Sequence, residues 1–220
     1  GEKMYIPQFE IAPTEVAGGC IAIYQNIWEN PQETIDVIEK VTSDETSGIK
    51  FERATTTALE NAYMRTNSHL SVSKSGETNE EFRKINNRFF DLTAAATVDY
   101  VKRFGGDFQF FFNEGFNLLK YQTGQEYKAH YDGLTASGRS ISPILYLNDD
   151  YEGGEIEFVN FNLKIKPRAG MLVLFPANFA YQHIAHPVTT GTKYAIVTWL
   201  HDRPSVALPN SKKELLNSHE

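Results

Sequence analysis

The chain has 220 residues, 41% hydrophobic and 13% aromatic, enough to fill one sizeable core. A formal net charge of −7 argues against a broad electrostatic grip on nucleic acid or an anionic membrane. The single cysteine, Cys20, excludes an internal disulfide and a cysteine-built zinc site, so any metal must be held by histidine and carboxylate.

Residues 21–28 (IAIYQNIW) predict a short strand, and Asn30-Pro31 then announces a helix to about Val41, with Asn30 as its N-cap and Pro31 at its first position. Residues 49–57 and 62–72 have the Thr, Tyr and Val content of strands or extended loops. Residues 70–78 (LSVSKSGET) predict a mobile loop, a candidate lid over a bound substrate. Thr78 and Glu81 then form a capping-box pattern, and Phe82, Ile85, Phe89, Leu92 and Ala96 mark one apolar helix face, ending near Gly105-Gly106.

From Phe108 onward the period becomes that of strands: 108–112, 116–121, 127–131, 142–147, 155–159, 162–165, 171–175 and 193–200, with Gly, Pro and Asn turns between them. The expected fold is mainly β with flanking α-helices, a jelly roll or related barrel buttressed by the earlier helices. One domain is expected: supporting elements over 1–107, a β core over 108–201, and a polar tail over 202–220. No apolar run approaches the roughly 20 residues of a membrane span, and the N-terminus lacks the basic-then-apolar order of a signal peptide. The expected location is cytoplasmic.

Candidate chemistry centres on residues 121–132, YQTGQEYKAHYD. On a strand, His130 and Asp132 project to the same side. Of the six histidines, His183 or His186 in YQHIAHPV is where the chain could return to them. Two imidazoles and a carboxylate suit Fe(II), although the His-x-Asp spacing alone is a weak pattern. Lys193, Ala195, Val197 and Trp199 share one strand face on which Ala and Val argue for the interior, and a buried ammonium there asks for an anion.

The wider pattern is more specific. Tyr121, Gly124, Gln125, Tyr127, His130 and Asp132 are followed by Arg139 with Tyr146-Leu147-Asn148, and then by Gly153-Gly154-Glu155 with Phe158. Pro167, Gly170 and Phe175 come next, then His183, Pro187-Val188, Gly191 and Lys193, then Trp199 and His201. In order and spacing this string resembles the Fe(II)- and 2-oxoglutarate-dependent dioxygenases, and within them the collagen-type prolyl 4-hydroxylase branch, closely over about 116–201.

The resemblance implies a double-stranded β-helix (jelly-roll) core with His130, Asp132 and His183 as iron ligands and His186 as a neighbour. It implies Lys193 on the distal carboxylate of 2-oxoglutarate, Tyr121 and Tyr146 lining that pocket, and Glu114, Tyr127, Arg139, Trp199 and His201 around the target proline. Aromatic faces suit a pyrrolidine ring, while Arg139 and His201 suit the neighbouring peptide carbonyls. Fe(II), 2-oxoglutarate and O2 are the implied cofactors, with ascorbate an optional addition, and a proline-containing peptide is the implied partner. The implied reaction hydroxylates peptidyl proline and releases succinate and CO2.

Two departures stand out: Ser142 where the family has threonine, and Pro143 where it has an apolar non-proline. The second is expected to weaken local strand pairing and to affect substrate preference. The competing readings are a hydroxylase acting on a lysyl side chain or a small molecule, and a non-catalytic jelly-roll binding protein. Nucleic-acid demethylation fits less well, since that branch anchors 2-oxoglutarate with arginine where this chain has Lys193.

Overall fold

The computed structural model describes residues 7, 9–54, 64–105, 112–134 and 138–202. A hairpin of β1 (Glu15–Ala17) and β2 (Ile21–Tyr24) leads through helix α1 (Pro31–Ser43) to β3 (Glu52–Arg53) and β4 (Ser68–Ser71). A short helix α2 (Val72–Ser75) and the long helix α3 (Glu80–Tyr100) follow, the latter ending in a π-type turn over Val101–Gly105. Next come β5 (Phe112–Asn113), β6 (Asn117–Tyr121), β7 (Tyr127–His130), β8 (Arg139–Tyr146), β9 (Glu152–Gly153), β10 (Ile156–Phe158) and β11 (Leu163–Ile165). The last are β12 (Met171–Pro176), β13 (His183–Ala185), β14 (Val188–Thr190), β15 (Lys193–Val197) and β16 (Leu200–His201).

Two antiparallel sheets make the core. The larger runs β1-β2-β12-β8-β15-β6-β4-β3, with β16 pairing β8 and β5; the smaller runs β11-β10-β13-β7, and β9 pairs β14 separately. Strand alternation sets what each face meets. Along β12, Leu172 and Leu174 join Tyr24, Ile38, Phe82 and Phe89 beneath the helices, whereas Met171, Val173 and Phe175 join Ile156 and Phe158 between the sheets. Both faces of β12 are therefore buried, which is why its sequence is apolar throughout. The result is the expected jelly-roll core with helices packed on its outer face.

Residues 64–71 tie the two sheets together on one side. Arg65 bridges to Tyr127, the Lys128 amide donates to the Met64 carbonyl at 2.8 Å, and the Thr66 amide donates to the Glu126 carbonyl at 3.0 Å. Three residues later the same chain is β4, paired with β6 through Ser68↔Lys120 and His69↔Leu119.

Several local expectations need correction. Most of 70–78 is not a loop: Leu70 and Ser71 end β4, Val72–Ser75 is helical with Val72 wholly buried, and only residues 76–78 form a turn, so apolar packing overrides the Ser-rich composition and removes this segment as a lid. α3 is capped one residue later than the capping-box pattern suggests, by Asn79, whose side chain accepts from the Phe82 amide at 3.1 Å. Asn30 does precede α1, but in the left-handed conformation and without a side-chain cap; the adjacent turn is held instead by the Trp28 indole donating to Thr34 at 2.9 Å. The strand of 21–28 ends at Tyr24; of the stretch 49–57, read as strand or extended loop, residues 49–54 are described and Glu52–Arg53 is strand, while 55–57 lie outside the described residues. Most of 108–112 and of the tail over 202–220 lies outside the described residues, as does Gly106.

Pro143 sits in β8 opposite Leu174 of β12, and the neighbouring strand breaks between β15 and β16 where Pro143 has no N–H to offer. One bond persists there, from the Thr198 amide to the Pro143 carbonyl at 3.3 Å. No helix among the described residues is long and apolar enough to cross a membrane.

Candidate functional site

His130 ends β7 and His183 opens β13, and these two residues are direct cross-strand partners in the smaller sheet. Asp132 is not on the strand. It begins a 3-10 turn, Asp132–Leu134, so its position beside His130 comes from that turn rather than from strand alternation. The turn is pinned by the Gly133 amide donating to the Ala177 carbonyl at 2.8 Å; a Cβ at Gly133 would lie 2.9 Å from that oxygen, so only glycine fits without a shift.

One donor atom from each of His130, Asp132 and His183 lies within 4.8 Å of the others. Asp132 Oδ1 is 3.4 Å from His130 Nε2 and 3.6 Å from His183 Nε2. Each imidazole is oriented from behind: His130 Nδ1 lies 2.7 Å from the Lys128 carbonyl and His183 Nδ1 lies 3.0 Å from the Tyr181 carbonyl. That fixes the protonated nitrogen as Nδ1 and leaves both Nε2 lone pairs for a metal. Burial pushes His183 down to about 4, so the ring is neutral, as a ligand must be. Burial would raise Asp132, but its contacts outweigh that and hold it below the usual carboxylate range, among them the Ser142 hydroxyl, which donates to Oδ2 at 2.5 Å. Two imidazoles and one carboxylate, each held from behind, fit Fe(II) and leave coordination positions open. His186 stands apart: its Nε2 is 3.1 Å from Glu157, outside the cluster.

A pocket of about 280 Å³ opens on this cluster. Tyr121, Tyr146 and Lys193 line it from the larger sheet, where Lys193 pairs with Tyr121 and Ala195 with Tyr146. Lys193 is 2% exposed; its ammonium lies 4.2 Å from the Tyr121 ring centre and donates to the Gly154 carbonyl at 3.2 Å. Burial, then nearby Lys166, lowers it to about 7 against the pull of Glu155. Burial likewise raises Tyr121 to about 12, so its hydroxyl stays a donor.

Next to Lys193, a Cβ on Gly154 would fall 2.8 Å from the Tyr151 ring and 3.4 Å from the Lys193 chain. The Tyr151 hydroxyl is buried with no hydrogen-bond partner among the described residues. Tyr151→Phe should therefore raise the melting temperature by about 2–4 °C, since it removes a buried unsatisfied group costing about 1 kcal/mol. A melting scan of the ligand-free protein checks this.

The other side of the pocket carries the residues expected near a substrate. Tyr127 stacks on His130 with ring centres 3.5 Å apart. Arg139 lies 3.9 Å over the Trp199 ring, donates to Glu114 at 2.6 and 2.8 Å, and donates to the Asp132 carbonyl at 3.0 Å. His201 does not line the pocket: it is 1% exposed, and its Nε2 meets Glu114 at 2.6 Å. It touches the wall through Glu114. Arg65 and His69 also line the pocket and escaped the sequence reading. Their spacing of four in an extended segment, which puts alternate residues on one face, was the available signal.

Residues 116–201 match the sequence model of the 2OG-Fe(II) oxygenase superfamily. A probable prolyl 4-hydroxylase 9 of Arabidopsis thaliana is 35% identical over 119 residues, covering 41% of each chain, so the match spans well under half of that relative. Among solved structures, a prolyl hydroxylase of Trichoplax adhaerens, determined with a hypoxia-inducible-factor peptide fragment, shares the fold with a TM-score of 0.67, 20% identity and 84% coverage of both chains. A Pseudomonas putida prolyl-4-hydroxylase does so with a TM-score of 0.61, 17% identity and coverage of 85% and 95%. Residues 116–201, which carry the motif string from Tyr121 to His201, are thus similar in sequence to the 2OG-Fe(II) oxygenase superfamily and, over part of their length, to prolyl 4-hydroxylases.

Proposed function

We propose that the chain is a 2-oxoglutarate-dependent dioxygenase that hydroxylates prolyl residues in a peptide or protein. The observation that carries this is one pocket with three functions on its walls: the His130–Asp132–His183 cluster, the buried Lys193 ammonium, and the aromatic and guanidinium surface of Tyr127, Trp199 and Arg139. Bound Fe(II) supplies the oxygen chemistry that couples loss of CO2 from 2-oxoglutarate to insertion of one oxygen atom into a C–H bond. The protein's own residues bind, orient and exclude water. Lys193, with the Tyr121 and Tyr146 hydroxyls, holds the far carboxylate of 2-oxoglutarate; Tyr127 and Trp199 offer ring faces to a pyrrolidine, and Arg139 donates to a carbonyl beside it.

The test is mass spectrometry of proline-rich peptides incubated with the protein, Fe(II) and 2-oxoglutarate. A product heavier by one oxygen atom on proline is expected. Oxidation on lysine would overturn the substrate reading, and the absence of oxygen-dependent succinate with any peptide would overturn the enzymatic one.

A pH effect follows from Lys193. In the ligand-free protein its ammonium is lost as pH rises through about 7, while a bound carboxylate stabilises the charged form. Binding above pH 7 therefore takes up a proton, so 2-oxoglutarate affinity should fall with rising pH, by about tenfold per unit at most. Lys193→Met should weaken binding by about 30-fold at pH 6.5 or below, an anchoring charge-assisted bond of roughly 2 kcal/mol, and should flatten the pH profile. Titration calorimetry checks both.

A further inference from the structure

We propose that His69 is a substrate-contacting residue whose imidazole hydrogen-bonds a backbone peptide group of the bound polypeptide; this rests on the peptide-hydroxylase reading above. His69 lies on β4, upstream of the 116–201 match, and lines the same pocket as the metal cluster. The register of the larger sheet places it in one lateral row: His69 pairs with Leu119, Leu119 with Ala195, and Ala195 with Tyr146. That row faces the pocket along its whole length. At one end is a tyrosine of the co-substrate side. At the other is His69, with apolar Leu119 and Ala195 between.

Three features make His69 more than part of a wall. It sits on the segment that links the two sheets, four residues after Arg65, which itself bridges to Tyr127 beside His130. Neither ring nitrogen hydrogen-bonds a described residue, although the ring is partly buried. Its charged neighbours are Arg65 and, across the strand pair, Glu52; burial and Arg65 together disfavour protonation. A neutral imidazole offers one donor and one acceptor, which matches the carbonyl and amide of a polypeptide backbone rather than an isolated carboxylate. A polypeptide running out from the metal cluster along the Leu119 row meets His69 as the polar group at the far end of that row.

The test uses the whole protein loaded with Mn(II) and 2-oxoglutarate, so that no turnover occurs, and a fluorescently labelled proline-rich peptide that the Fe(II)-loaded wild type hydroxylates. By anisotropy, His69→Ala and His69→Phe should each bind this peptide about tenfold more weakly, the loss of one hydrogen bond, and His69→Gln should recover most of it. All three should bind 2-oxoglutarate like the wild type, which also verifies that they are folded. Wild-type peptide affinity in His69→Ala, or full retention in His69→Phe, would overturn the proposal, the latter by showing that only ring packing matters. Loss of 2-oxoglutarate binding together with peptide binding would reassign His69 to the architecture of the pocket. A wild type that binds and hydroxylates no prolyl peptide would bring down the function reading and this proposal with it, a result distinct from a wild type that hydroxylates peptide while the variants bind it normally.

Discussion

Asp132→Asn should abolish metal binding and turnover while leaving the metal-free protein folded. The carboxylate is 8% exposed and lies between two imidazoles, with Ser142 on its second oxygen and Arg139 and Gly133 on the surrounding backbone. Asparagine keeps the shape and loses the charge, so a neutral amide oxygen must replace an anionic ligand to a divalent ion. A loss of at least about 100-fold in Fe(II) or Mn(II) affinity is expected, comparable to or beyond that of removing a supporting group behind a ligand. Thermal unfolding gives a readout independent of activity, because a ligand that binds only the folded state raises the melting temperature in proportion to the logarithm of its excess over Kd. The wild type should gain stability on adding Mn(II), and the variant should gain little. His183→Ala should behave the same way. His186→Ala should not, since His186 is paired with Glu157 outside the cluster. A His186 variant that lost the metal shift while His183→Ala kept it would put the ligand assignment in the wrong register.

The site was legible in the sequence to the extent that its parts follow local rules. Lys193, Ala195 and Val197 lie in β15 with an inward face read directly from alternation, and Tyr121 shares the pocket with Lys193 because their strands pair. Alternation failed for Asp132, where the strand had already ended; only the wider motif string carried the residue. Composition failed at residues 70–78, because Leu70 and Val72 are pulled into the core and the Ser-rich context follows them into strand and helix. His201 reads as a residue at a strand end, and nothing local reveals that Glu114, 87 positions earlier, turns it inward. For His69 and Arg65 the only local signal is a shared strand face; that this face meets the pocket depends on a segment that crosses from one sheet to the other.

Glu114 is the point where long-range structure and chemistry meet, and Glu114→Gln should have the largest effect on stability. Its carboxylate receives two bonds from Arg139 and one from His201, with the side chain 18% exposed. Burial would raise its pKa, but the bonds from Arg139 and His201 prevail and bring it down to about 2. Because the folded-state value lies below the unfolded one, the contribution is fully present above about pH 4.5 and is lost as pH falls through about 2. That shift corresponds to about 3 kcal/mol at neutral pH. Glutamine should therefore lower the melting temperature by roughly 10 °C at pH 7, since breaking one partner of a buried ion pair leaves the other uncompensated. The difference between the two proteins should narrow as pH falls from 5 to 2, where the wild-type carboxyl is itself protonated. A gap that stayed constant over that range would show that Glu114 acts through packing and not through its charge. Because Arg139 also holds the Asp132 carbonyl and lies over Trp199, freeing it should weaken peptide binding more than 2-oxoglutarate binding, which the proposed function assigns to Lys193.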